Sequence, residues 1–168
     1  MKATFFIVIL SVMCYTANSQ SRARGSASGM SGFSIGLEGG VPIGENGKPY
    51  SHILGGSLQY EAKPAVDIGI TVSGGYLNYT FKESWGGGSS SFVPVLGGVK
   101  YYFSPNAFLH AQVGAAVGTR SGQGTSFAYS PGIGFKLSPN IEATVKYSGI
   151  SNKAGAIENI GARLAYNF

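Results

Sequence analysis

Ile160-Gly161-Ala162-Arg163-Leu164-Ala165-Tyr166-Asn167-Phe168 changes character residue by residue. Ile160, Ala162, Leu164, Tyr166 and Phe168 share one face of an extended chain, while Asn159, Gly161, Arg163 and Asn167 share the other. Successive strand side chains point to opposite faces, so this is a strand with one apolar and one polar side. The same period recurs upstream. Phe33, Ile35, Leu37 and Val41 oppose Ser34, Gly36 and Glu38; Leu54, Leu58 and Tyr60 oppose Ser57 and Gln59; Val66, Ile68, Ile70, Val72 and Tyr76 oppose Asp67, Thr71 and Ser73. Val93, Val95, Val99, Tyr101 and Phe103 oppose Lys100, and Leu109, Val113 and Val117 oppose His110 and Gln112. Phe127, Tyr129, Ile133, Phe135 and Leu137 oppose Ser130 and Lys136, and Ile141, Val145 and Tyr147 oppose Glu142, Thr144, Lys146 and Ser148. Eight such segments, without helical spacing, predict an all-β chain.

The connections alternate in length. Glu61–Pro64, Ser104-Pro105-Asn106 and Ser138-Pro139-Asn140 read as tight turns, with Pro presetting φ and Asn tolerating unusual backbone angles. Ile43–Ser51, Lys82–Ser91, Thr119–Thr125 and Ser151–Ile157 read as longer polar loops. That order predicts an eight-stranded antiparallel up-and-down barrel over residues 33–168, with turns at one rim and loops at the other.

Charge decides which way it faces. In 168 residues only 11% are charged, against about 25% in an ordinary soluble domain, and mean hydropathy is +0.12. No apolar run approaches the ~20 residues of a membrane helix. The strand charges, Glu38, Asp67, Lys100, Lys136, Glu142, Lys146 and Arg163, all fall on the polar face among small residues. A water-facing surface would be crowded with Lys and Glu. A narrow interior instead suits three acids and four bases that neutralise one another. The apolar faces then meet lipid, and aromatic residues near both strand ends suit the two bilayer interfaces. The expectation is a transmembrane barrel with an ion-paired interior. The opposite orientation, a soluble exported barrel holding an apolar ligand, would enclose Ile35, Leu37, Ile70 and Val99.

Residues 1–19 read as a secretory signal peptide: Lys2, an apolar stretch over Phe5–Leu10 and Val12–Tyr15, then small residues in Ala17-Asn18-Ser19. A buried N-terminal strand or helix is one alternative. A lipoprotein signal at Cys14 is another, although Met13 precedes it where a small residue is expected. Residues 20–32, rich in Gly and Ser, read as a flexible N-terminal segment. Cys14 is the only cysteine, so the exported chain would have no disulfide, thiolate nucleophile or Cys-ligated metal. The net charge of +5 is spread along the chain, and no clustered basic face suggests nucleic acid.

An alternating strand that ends in an aromatic residue, here Leu164, Tyr166 and Phe168, resembles the C-terminal assembly signal of bacterial outer-membrane barrels. The chain as a whole resembles small eight-stranded outer-membrane β-barrels of the OmpA and OmpX kind. The resemblance implies export to the outer membrane of a Gram-negative envelope, insertion by the β-barrel assembly machinery, and contact with outer-membrane lipid and lipopolysaccharide. Loops of about seven to ten residues are too short for the protruding sheet of the adhesive members. The expected role is structural or interactive, with a small pore as the alternative.

Chemistry is sparse. His52 and His110 lie in no metal-ligand spacing, and the His-x-Ser-Asn pattern of the lipid-deacylating barrels is missing. Ser51 and His52, adjacent in a strand, are expected to point apart. Gly86-Gly87-Gly88 precedes no Lys-Ser/Thr and opens no helix, so it reads as a loop rather than a phosphate cradle. Trp85 beside it is the one loop candidate for a contact to lipopolysaccharide or a partner. No catalytic residue, metal ligand or cofactor is expected.

Overall fold

Period-2 alternation folds into strands, and the strands close on themselves. The computed structural model describes residues 31–120, 122–152 and 155–168; the expected signal peptide and most of segment 20–32 lie outside the described residues. The strands are β1 (Gly32–Ile43), β2 (Tyr50–Ala62), β3 (Ile68–Phe81), β4 (Ser89–Ser104), β5 (Ala107–Gly118), β6 (Thr125–Lys136), β7 (Ile141–Asn152) and β8 (Gly155–Asn167). Each pairs antiparallel with its sequence neighbours, and β8 returns to β1 through Leu37↔Leu164 and Glu38↔Arg163. The chain is an eight-stranded antiparallel up-and-down β-barrel. Closure leaves no strand edge bare, which is what lets β-structure sit in hydrocarbon. Among the described residues no helix is long and apolar enough to cross a membrane.

The apolar faces point outward. Leu37 is 76% exposed, and Ile35, Ile70 and Val99 are each about half exposed. The four residues that a soluble barrel would enclose are therefore on the outer wall. Phe33, Tyr101, Phe103, Phe135, Tyr166 and Phe168 ring the turn rim, while Tyr76 and Phe127 lie toward the loop rim.

Several boundaries differ from expectation. The first turn is 63–67 rather than Glu61–Pro64, because β2 runs on to Ala62 and β3 starts only at Ile68. The last loop, expected over Ser151–Ile157, is mostly strand: β7 and β8 stay paired out to Asn152↔Gly155. Polar residues there keep the ladder because a strand above the bilayer needs no apolar face. Two short 3₁₀ turns, Glu45–Gly47 and Glu83–Trp85, sit in the first two loops.

Two prolines interrupt the wall. Between Gly74↔Val95 and Leu77↔Phe92 the β3–β4 register is continuous, but the pairs at Pro94 are missing. The β6–β7 ladder has the same gap at Pro131, between Tyr129↔Gly149 and Gly132↔Lys146. Proline has no N–H to give to a ladder.

Candidate functional site

The inward positions build two layers. In the turn-side half, Lys100 is fully buried; its Nζ lies 2.8 Å from both carboxylate oxygens of Glu142 and 3.0 Å from Glu61 Oε2. The Tyr102 hydroxyl donates to Glu61 Oε1 at 2.6 Å. Further in, Lys146 Nζ lies 2.6 Å from Glu38 Oε2, and Arg163 Nε lies 3.9 Å from Glu38 Oε1. Arg163 also donates to Ser57 Oγ at 2.9 Å and to Ser34 Oγ at 3.1 Å. Its guanidinium occupies the space that any Cβ at Gly36 would need. The glycine opposite a long charged side chain is thus a packing requirement of a narrow barrel.

Neutral pairs surround the ions. Thr71 Oγ1 and His110 Nε2 are 3.0 Å apart, Gln112 donates to Ser73 Oγ at 2.9 Å, and the Ser130 and Ser148 hydroxyls are 2.8 Å apart. Among the described residues no buried side-chain polar atom lacks a partner. Burial of this much charge is tolerable only under that condition.

Toward the loop rim the interior turns apolar. Ile53, Tyr79, Phe92, Leu96, Ala116, Ala128 and Ile150 form one cluster. Tyr79 is fully buried, edge-on to Phe92 at 5.4 Å and to Tyr50 at 5.7 Å. Space inside the wall falls from about 410 Å³ at the turn-side mouth to about 40 Å³ beneath this cluster.

The expected ion-pair residues are not all brought together. Glu38, Lys100, Glu142, Lys146 and Arg163 are. Asp67 is not: it is exposed in the β2–β3 turn, where its carbonyl accepts the Tyr102 N–H at 2.8 Å. Its place is taken by Glu61, which shares the inward parity of Ser57 and Gln59 and lies in β2 rather than in the expected turn. Lys136 sits at the mouth with Nζ 4.7 Å from the Tyr102 ring centroid, and among the described residues it forms no ion pair with a carboxylate. Aromatic residues near the strand ends are expected at the bilayer interfaces, but Tyr79, near the loop-side end of β3, is inside; it is two residues beyond Leu77 on the same inward face. Leu164, Tyr166 and Phe168, the residues expected to resemble an assembly signal, all face outward. Trp85 is 63% exposed in the second loop, held by a backbone turn onto the Lys82 carbonyl.

Ser51 and His52 do not point apart. The β2–β3 register slips between Tyr50 and His52, and this irregularity lets Ser51 Oγ approach His52 Nδ1 to 2.8 Å. Ser51 Oγ also lies 3.3 Å from the Thr80 carbonyl, and among the described residues no carboxylate pairs with His52. The described residues contain no cluster of three or more metal-ligating side chains.

No family model matches the chain, and no curated protein sequence does. Solved structures do. The chain is similar to Ail, the attachment invasion locus protein of Yersinia pestis, at 21% identity and a TM-score of 0.59, over 82% of this chain and 97% of that one. Ail in a phospholipid bilayer nanodisc superposes with a TM-score of 0.56 at 21% identity, over 82% and 99% of the two chains. A de novo designed transmembrane β-barrel superposes at 0.54 with 17% identity, over 82% and 95%. With the apolar face outside, the charges inside and the ring of strands closed, the chain has the fold of the small eight-stranded transmembrane β-barrels.

Proposed function

We propose that this chain is an integral protein of the bacterial outer membrane, with a closed interior, serving as a structural or interaction component of the envelope rather than as a channel or an enzyme. On this reading the outer wall contacts outer-membrane lipid and lipopolysaccharide, and a signal peptide and the β-barrel assembly machinery deliver the chain. The observation that carries the reading is the layered interior. An ion-paired layer and an aromatic plug lie in series, and eight strands leave room for side chains but not for a water column.

Planar-bilayer recording tests it. The wild-type protein is expected to show no discrete conductance. The Tyr79→Ala/Phe92→Ala double variant, which removes the two largest plug rings, is expected to show small discrete steps if it keeps the slower mobility of a closed barrel when unheated. Discrete steps in the wild type would instead make it a small pore. Single gaps from either substitution alone are expected to be dry, because the remaining ring still spans the plug. An unheated sample that migrates like the boiled one would sink the closed-barrel reading before any recording.

A further inference from the structure

The outward strand positions of the described residues carry one charged side chain, Glu158 on β8. It follows five outward apolar positions, Phe168, Tyr166, Leu164, Ala162 and Ile160, counted from the turn rim. It therefore stands at the loop-side end of the apolar band, where a bilayer presents headgroups and not acyl chains.

Three strands build its surroundings. Tyr129 on β6, Gly149 on β7 and Glu158 on β8 lie in register across the wall. The Tyr129 ring lies over Gly149, in the space that a Cβ there would need. Its hydroxyl thereby spans β7 and donates to Glu158 Oε1 at 3.1 Å. Tyr147, on β7 two residues before Gly149, presents its ring beside that of Tyr129. The two tyrosine rings are 6.1 Å apart, and Phe127 extends the aromatic surface 6.3 Å beyond Tyr129. Among the described residues no lysine or arginine forms an ion pair with Glu158.

A carboxylate offers about four acceptor sites, and among the described residues one tyrosine hydroxyl is hydrogen-bonded to it. A fixed anion beside aromatic rings recognises an ammonium group, through a charge-assisted hydrogen bond and cation–π attraction. A divalent cation fits less well, because it asks for several oxygen ligands and this site has one carboxylate among neutral phenols. We propose that Glu158 and Tyr129, with the Tyr147 ring beside them, form a docking site on the outer wall for a lipid headgroup bearing a primary ammonium. The proposal rests on the lipid-facing reading of the wall and deepens it by naming the headgroup chemistry.

The test uses the protein in nanodiscs of phosphatidylglycerol, with phosphatidylethanolamine replacing it stepwise. Saturable amide shifts confined to Tyr129, Tyr147, Gly149 and Glu158 are expected. Glu158→Gln is expected to weaken that response about tenfold, the worth of one charge-assisted contact. Tyr129→Phe is expected to weaken it less. Shifts spread evenly around the wall, or unchanged in Glu158→Gln, would overturn the site. The same shifts from calcium in discs of phosphatidylglycerol alone would overturn it in favour of a metal ion, and from free ethanolamine in favour of a soluble amine. Heat-modifiable mobility of both variants, measured first, separates a lost site from a lost barrel.

Discussion

Lys100→Met is expected to cost the barrel about 3–5 kcal/mol, read as a shift in urea unfolding of the protein in phospholipid vesicles. The loss is not the value of the ion pair. Lys100 sits between two carboxylates, 2.8 Å from Glu142 and 3.0 Å from Glu61. With the ammonium gone, Glu142 stays buried without its counter-charge, facing a half-buried Glu61 that keeps Tyr102 and Lys63. A triple variant, Lys100→Met with Glu61→Gln and Glu142→Gln, is expected to recover most of the stability, since removing all partners of a buried network is far cheaper than removing one. A loss below about 1 kcal/mol in the single variant would mean that water reaches the network and screens it as it does surface pairs.

The second large effect lies on the outer face. Leu37→Arg is expected to destabilise the protein in vesicles by about 2–4 kcal/mol, because Leu37 is in the middle of the outward row of β1. Thr125→Arg, at the loop-side end of β6, is expected to cost about 0–1 kcal/mol, the value for an interface position. That depth dependence has no counterpart in a water-soluble barrel, where an arginine on a 76% exposed leucine would be close to neutral. Equal and small costs at the two positions would contradict the lipid-facing reading.

Much of this was legible from residue order alone. Parity assigned the outward row of every strand, since one apolar face against one polar face admits only two solutions and the scarcity of charge chose between them. Parity also held the answers that were missed. Glu61 is two residues beyond Gln59 and is hidden only by a turn expected too soon, while Tyr79 continues the inward row of Thr71 and Ser73, where an aromatic ring near a strand end reads equally well as an interface residue. The reason is physical. Alternation is enforced only within hydrocarbon, so strands that continue past the bilayer, as β7 and β8 do, give no apolar signal at their ends. The slip at Ser51 was illegible for another reason: an irregular register breaks the period-2 rule on which the reading depends. Glu158 fell in the same blind region, between an expected loop and an expected strand.

The two prolines give the wall a mechanical character. A cylinder laced by an unbroken ladder resists ovalisation as a hoop does. Here the lacing is interrupted along two seams, at Pro94 between β3 and β4 and at Pro131 between β6 and β7. The hoop is thus divided into two staves, β4–β5–β6 and β7–β8–β1–β2–β3, each stiff within itself and jointed to the other at mid-height. Lateral pressure from the bilayer is then taken up by bending at the joints. Amides beside the seams are expected to exchange with deuterium ahead of the stave centres, and uniform protection around the ring would show that the hoop is whole.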